Sequence, residues 1–186
     1  MSLVERHVNG ARWIGNLDTG PTVAADERSI RCLGAHHETE LRRLFLSLEP
    51  SARTCRFGLA ASDAYLAKYA KTALDKATWI LGAFPDDQLR GVVEIHGDGP
   101  QAFAEAAFVV EPQWRRQGLG WALLRAAIEV AAGAQTSSLR MIFSRHNWPM
   151  RKLASKANGR LDVVLDELSV DVALGGIEHP FAEAAE

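Results

Sequence analysis

The sequence is short of cysteine: two in 186 residues, Cys32 and Cys55. Their wide separation offers neither a metal-ligand spacing nor a CxxC redox pair, so both are expected as reduced thiols. Apolar runs are short as well. None approaches the ~18 residues of a membrane-crossing helix, and Met1 to Asn9 lacks the apolar stretch of a secretory leader. The expected setting is cytoplasmic, with no membrane partner. Charge of one sign is also missing. Lysine and arginine total 21 against 23 acidic residues, a formal net charge of -2, which gives no global support for binding a nucleic-acid backbone. Clustered metal ligands are lacking too: His36-His37 has no HExxH context and reads as the start of a helix, so no metal is expected. What is present is ordinary for a globular domain, 47% hydrophobic and 24% charged residues, in a length that suits one domain with loose ends.

Residues 1–27 show no sustained periodicity and are expected as an N-terminal extension, with a partly anchored segment near Trp13 and Ile14. From residue 28 to 174 the pattern is continuous. A short strand is expected over 29–33. Leu41, Leu44, Phe45 and Leu48 then mark one buried helical stripe, ended by Pro50. A second helix runs from Asp63 to about Asp75 with Ser62 as its cap. Three strand-like runs follow, 78–84, 89–96 and 102–110, joined by Pro85-Asp86-Asp87 and by Gly97 to Pro100, which implies an antiparallel meander. A helix is expected from about Gly118 to Ala132 and a strand over 139–144. Pro149 suits the first position of another helix, closed by Asn158-Gly159. Two short strands are expected over 161–165 and 167–174, and 175–186 reads as a flexible tail. The fold class is α/β (α+β): a single domain with a mixed, mostly antiparallel sheet flanked by helices. The strand after the long helix should lie parallel to the third meander strand through a crossover.

One stretch carries chemistry: Phe108, Val109, Val110, Glu111, Pro112, Gln113, Trp114, Arg115, Arg116, Gln117, Gly118, Leu119, Gly120. An apolar strand breaks into a glycine-rich, basic turn and enters a helix. First-turn N–H groups of a helix lack intrahelical acceptors and lie at the positive end of its dipole, a natural seat for phosphate. Glycines open the backbone to close approach, and arginine stays charged at any working pH. A P-loop is excluded because no Lys-Ser or Lys-Thr follows a suitable glycine. A dinucleotide fingerprint fails because Leu123 stands at the third glycine position. R-x-x-G-x-G remains, as Arg115, Gly118 and Gly120.

That pattern, behind Val109-Val110 and Pro112, resembles the acetyl-CoA motif of the GNAT acetyltransferase superfamily, and the element order from about Ser29 to Leu174 fits. The resemblance implies acetyl-CoA as cosubstrate, contacted by Phe108, Val109, Val110, Arg115, Arg116, Gln117, Gly118, Leu119 and Gly120, with a parallel strand pair splayed at the cofactor. It implies an oxyanion-binding backbone N–H near Val110. Asn147 to Ala154 is similar to the family's N-x-x-[AM]-x-x-L segment, which places Asn147 and Met150 beside the pantetheine arm. Asn147 also reads as a plain helix cap. Many members carry a tyrosine acid immediately after that leucine; here it is Ala154. Leu46 to Phe57 resembles a segment of bacterial Pat-type protein-lysine acetyltransferases. That branch implies a general base at Glu105; Glu94, on the preceding strand, is the second choice. Each also reads as a residue on a solvated sheet face. The resemblance implies transfer to a primary amine, with protein lysine slightly ahead of a small molecule and a homodimer allowed. The alternative is a catalytically inactive CoA-binding sensor or interaction module, which Ala154 motivates.

Overall fold

The computed structural model describes residues 30–97 and 103–174, together with the backbone of residues 3–8 and 11–16. The expected tail and the junction near residue 28 lie outside the described residues. Two strands, β1 (Leu3–Val8) and β2 (Ala11–Asn16), pair antiparallel as a separate hairpin. The expected N-terminal extension therefore contains two paired strands, whose alternation is too weak to stand out in the sequence.

The main sheet has seven strands in the order β3-β4-β5-β6-β7-β9-β8. They are β3 (Ile30–Cys32), β4 (Trp79–Ala83), β5 (Gly91–His96), β6 (Ala104–Val110), β7 (Ser138–Ser144), β8 (Arg160–Val164) and β9 (Glu167–Ala173). Among the described strands, only β6 and β7 run parallel. The long helix α4 (Leu119–Gly133) makes the crossover between them, because parallel neighbours cannot be joined by a tight turn.

Helices cover both faces. On one, α4 and α5 (Trp148–Lys156) bury Leu119, Leu123, Leu124 and Ala127 against Val93, Ile95, Leu139 and Met141. On the other, α1 (Glu38–Leu46) and α3 (Asp63–Lys76) bury Leu41, Leu44, Phe45, Leu66 and Ala70 against Ile80, Val92 and Val109. Ser62 caps α3 as expected, its hydroxyl accepting from the Tyr65 N–H at 3.2 Å. His36 and His37 lie on or beside a 3₁₀ turn (Ala35–His37) that leads into α1, and His37 Nδ1 accepts from the Gly34 N–H at 3.1 Å.

Pro50 is the principal correction. It does not simply stop α1, which already ends at Leu46; it opens a further helix, α2 (Pro50–Phe57). Proline is favoured at the first helical position, where its missing N–H costs nothing, and Gly58 closes the helix with φ of 69°. Leu48 therefore lies between two helices, yet it is buried in the same core as α1. Helix α2 lies against β6 and β7.

Candidate active site

The pairing of β6 with β7 ends almost where it begins. It holds at Ala104↔Leu139 and Glu105↔Arg140, while β6 stays paired with β5 from Glu105 to Val110 and β7 with β9 from Ser138 to Ser144. Beyond Glu105 the two parallel strands part. The segment 106–110 keeps one ladder and exposes its other backbone edge to the gap, where N–H and C=O groups need partners from a ligand or water. Phe108, Val109 and Val110 lie on this segment, and Val109 is buried in the α1/α3 core.

Past Val110 the chain makes a 3₁₀ turn (Pro112–Trp114) and reaches α4 through two left-handed residues, Arg116 with φ of 60° and Gly118 with φ of 86°. Gly118 is the N-cap, and no side chain caps the helix. The N–H groups of Leu119 and Gly120 are thus left at the positive end of a 15-residue helix. A Cβ on Gly120 would meet nothing nearer than Leu153 Cδ2 at 3.9 Å, whereas one on Gly82 or Gly159 would strike core side chains at 2.6 and 2.4 Å. Packing requires glycine at 82 and 159. At Gly120 the free space lies beside uncapped amides, which fits close approach of a diphosphate.

The two arginines of the turn have separate duties. Arg115 donates through Nε to the Val110 carbonyl at 3.2 Å and through Nη1 to Glu49 at 3.0 Å, tying the end of β6 to the α1–α2 connection. Arg116 is exposed and makes no hydrogen bond or ion pair with a described residue. Of the two, Arg116 is the one whose guanidinium has no partner among the described residues. Gln117 donates to the Gln113 carbonyl at 2.8 Å and closes the loop. Buried Glu111 joins Arg43 at 3.0 Å and Arg90 at 2.8 Å, pinning the strand end from below.

Across the gap, Asn147 Oδ1 accepts from the Met150 N–H at 3.2 Å and caps α5. Its carbonyl oxygen is committed to the helix, and its amide nitrogen has no partner among the described residues. Met150 packs at the edge of the α4/α5 core, and Ala154 is buried in it.

The two glutamates differ sharply. They project from the same side of the sheet, because Glu94 stands opposite Ala107 and His96 opposite Glu105. Glu94 is fully buried, contrary to the expectation of a solvated face. Arg56 Nη2 donates to its Oε1 at 2.5 Å, the Tyr69 hydroxyl donates to its Oε2 at 2.7 Å, and His96 Nε2 lies 3.7 Å away. Burial opposes ionisation of Glu94. Hydrogen bonding toward His96, the Arg56 charge and the Tyr69 hydroxyl outweigh it and hold the carboxyl below its ordinary value. Burial, then the nearby Glu94 charge, push the Tyr69 phenol up to about 12. Glu105 is exposed, on the last rung before the strands part, with no hydrogen bond or ion pair to a described residue. Its neighbour Arg140 is held by Asp171 at 2.8 and 2.9 Å.

Sequence reasoning missed Arg56 and Glu111. Only their place in folded space gives them partners, 38 residues away for Arg56 and 68 and 21 residues away for Glu111. A charged residue inside each apolar strand run, at Glu94 and at Glu111 just past β6, was the available signal. No group of three or more potential metal ligands occurs among the described residues.

Known structures share this fold. The GNAT domain of S. lividans PAT superposes with a TM-score of 0.68 at 17% identity, over 78% of this chain and 90% of that one. The PaiA N-acetyltransferase of Thermoplasma acidophilum, in complex with coenzyme A, gives 0.60 at 16% identity over 78% and 98%. YncA of Salmonella typhimurium, with acetyl-CoA as its cofactor, gives 0.60 at 14% identity over 84% and 99%. No curated protein matches the chain. The sequence model of the Acetyltransferase (GNAT) family matches residues 40–159, from α1 through the phosphate turn to the end of α5, and with this splayed sheet in place the chain belongs to the GNAT acetyltransferase family.

Proposed function

We propose that this chain transfers an acetyl group from acetyl-CoA to a primary amine, by direct attack assisted by Glu105. The observation that carries the proposal is an exposed carboxylate, without a hydrogen bond or ion pair to a described residue, on the last rung before the strands part, with an uncapped helix N-terminus following the same strand. In this reading Leu119 and Gly120 offer backbone N–H groups to the pyrophosphate and Arg116 adds charge. The freed edge of 106–110, with Asn147 and Met150 across the gap, aligns the pantetheine amides.

An alkyl ammonium has a pKa of about 10.4, so little of it is neutral near pH 7. Glu105, directly or through water, takes the proton as the amine nitrogen bonds to the thioester carbonyl. A backbone N–H near Val110 receives the developing oxyanion. The C–S bond then breaks. A thiol with pKa near ~8.5 can leave without a strong acid, which makes Ala154 compatible with turnover. Glu94 is a weak second choice as base: both its oxygens already accept hydrogen bonds and it has no exposed surface.

A protein lysine is favoured slightly over a small amine. Support comes from the local likeness of 46–57 to Pat-type enzymes and from the structural likeness to a PAT domain. The test is release of free CoA thiol from acetyl-CoA with protein and small-amine acceptors, for the native chain and Glu105→Gln. The expected result is turnover that falls by about 10²-fold or more in the variant, with CoA affinity unchanged. Tight CoA binding without turnover on any acceptor would favour the silent CoA-binding module, for which Ala154 is the motivating feature.

A further inference from the structure

Glu105 has a cation beside it that it does not pair with. Arg140 of β7 is its partner in register. Such residues point to the same side of the sheet, from strands only ~4.8 Å apart. Arg140 thus stands between two carboxylates, Glu105 on β6 and Asp171 on β9, the latter directly opposite it in the antiparallel ladder. It takes one and leaves the other. Its Nε and Nη2 donate side-on to the two oxygens of Asp171 at 2.8 and 2.9 Å. Its guanidinium carbon lies 3.7 Å from the centre of the Phe103 ring. Arg140 and Asp171 are partly shielded, with side-chain exposures of 29% and 24%, whereas Glu105 is exposed.

We propose that Asp171 and Phe103 are positioning residues: they hold the Arg140 guanidinium away from Glu105 and so keep that carboxylate free to act as a base. The proposal rests on the reading of Glu105 as the base. A carboxylate paired with arginine binds a proton more weakly, and its efficiency as a general base falls accordingly. The two restraints act on different directions. The bidentate fork fixes the edge and the plane of the guanidinium, and the ring covers one of its faces. Turning toward β6 would forfeit both. Hydrogen bonding to Asp171 is the largest influence holding Arg140 charged; burial opposes it, and the charge of Asp171, then that of Glu105, adds to it. Glu105 is therefore within electrostatic reach of the guanidinium although no hydrogen bond joins them. The other charged and titratable groups nearby are engaged elsewhere. His96, opposite Glu105 on β5, has its Nε2 3.7 Å from Glu94, and Arg56 of α2 and Tyr69 of α3 both donate to Glu94.

An ion pair that merely tied β7 to β9 would cost stability when broken and change nothing at Glu105. Asp171→Asn separates the two roles, because it keeps the shape of the side chain and removes its charge. The full chain is read in two ways: the titration of Glu105, followed at its carboxyl carbon by NMR, and acetyl transfer from acetyl-CoA. In Asp171→Asn the Glu105 midpoint should fall by about 1 pH unit or more as Arg140 turns to it. The kcat near pH 7 should fall by about tenfold, with the KM for acetyl-CoA little changed. Arg140→Met together with Asp171→Asn should return the midpoint to the native value or above it and regain most of the lost kcat. Phe103→Leu should act as Asp171→Asn does, more weakly. An unmoved Glu105 midpoint in Asp171→Asn, or a loss of kcat that persists in the double variant, would overturn the proposal. Full turnover in Glu105→Gln would instead remove Glu105 as the base, and the NMR titration would still decide whether Asp171 controls that carboxylate. If Asp171→Asn fails to fold, Phe103→Leu carries the same two readouts.

Discussion

At the scale of single residues, Gly120 separates ligand binding from folding. Its Cβ position is empty to 3.9 Å, and an acidic side chain in the first turn of a helix is favourable to the free protein. Gly120→Asp should therefore leave the unfolding midpoint of the unliganded chain nearly unchanged. It should weaken CoA binding at least tenfold, about 1.4 kcal/mol, by adding bulk and negative charge at the proposed diphosphate seat. Calorimetry with CoA and thermal unfolding of the same sample check both halves. Arg115 and Arg116 should divide the same way. Arg116→Ala should reduce CoA affinity without loss of stability, because its guanidinium is exposed and makes no hydrogen bond or ion pair with a described residue. Arg115→Ala should loosen the end of β6, since it releases both Val110 and Glu49.

Among the elements, α2 depends on a buried charge for its seat. Arg56 of α2 reaches Glu94 of β5 and Tyr69 of α3, with side-chain exposures of 14% for Arg56 and none for Glu94. Removing one member of such a pair leaves an uncompensated buried charge and costs about 3–5 kcal/mol. Arg56→Met should destabilise by that order in urea unfolding, and Arg56→Met with Glu94→Leu should recover much of the loss. The pH dependence follows from the lowered carboxyl of Glu94. Above its ordinary value of 4.5 the stabilisation is complete. As pH falls below that, the unfolded chain takes up the proton first, and stability declines until the folded carboxyl is protonated too. Urea midpoints followed into the acid range should fall more steeply for the native chain than for the double variant. Helix α2 was also the element least readable in sequence. Pro50 signals the end of one helix and the start of another with the same residue, and Ser51 to Phe57 contributes no fully buried side chain that would mark an apolar stripe.

For the whole molecule, ligand binding should couple to global stability through the two elements that frame the gap. At acetyl-CoA a hundredfold above its dissociation constant, the native state gains about 2.7 kcal/mol, enough to raise the unfolding midpoint by roughly 5–10 °C for a domain of this size. Gly120→Asp should show little of that rise in a thermal scan with and without ligand. The glycine-rich turn before α4 and nearly all the main-sheet strands were legible in sequence because they rest on local rules: apolar runs in β4 to β6, helical spacing in α1 and α4, glycine and proline at turns. The same rules fixed the chain's exclusion from P-loop and dinucleotide designs. Tertiary structure alone decided what the charged residues do. Arg115 and Arg116 are adjacent and identical, yet one finds Glu49 and the other has no partner among the described residues. Glu94 and Glu105 lie on the same side of neighbouring strands, yet one is enclosed by Arg56 and Tyr69 while the other stands open where β6 leaves β7. Side-chain type and spacing are properties of the chain, but burial and the identity of a charge's partner belong to contacts between segments far apart in sequence, and these govern whether a carboxylate serves as a structural anion or as a base.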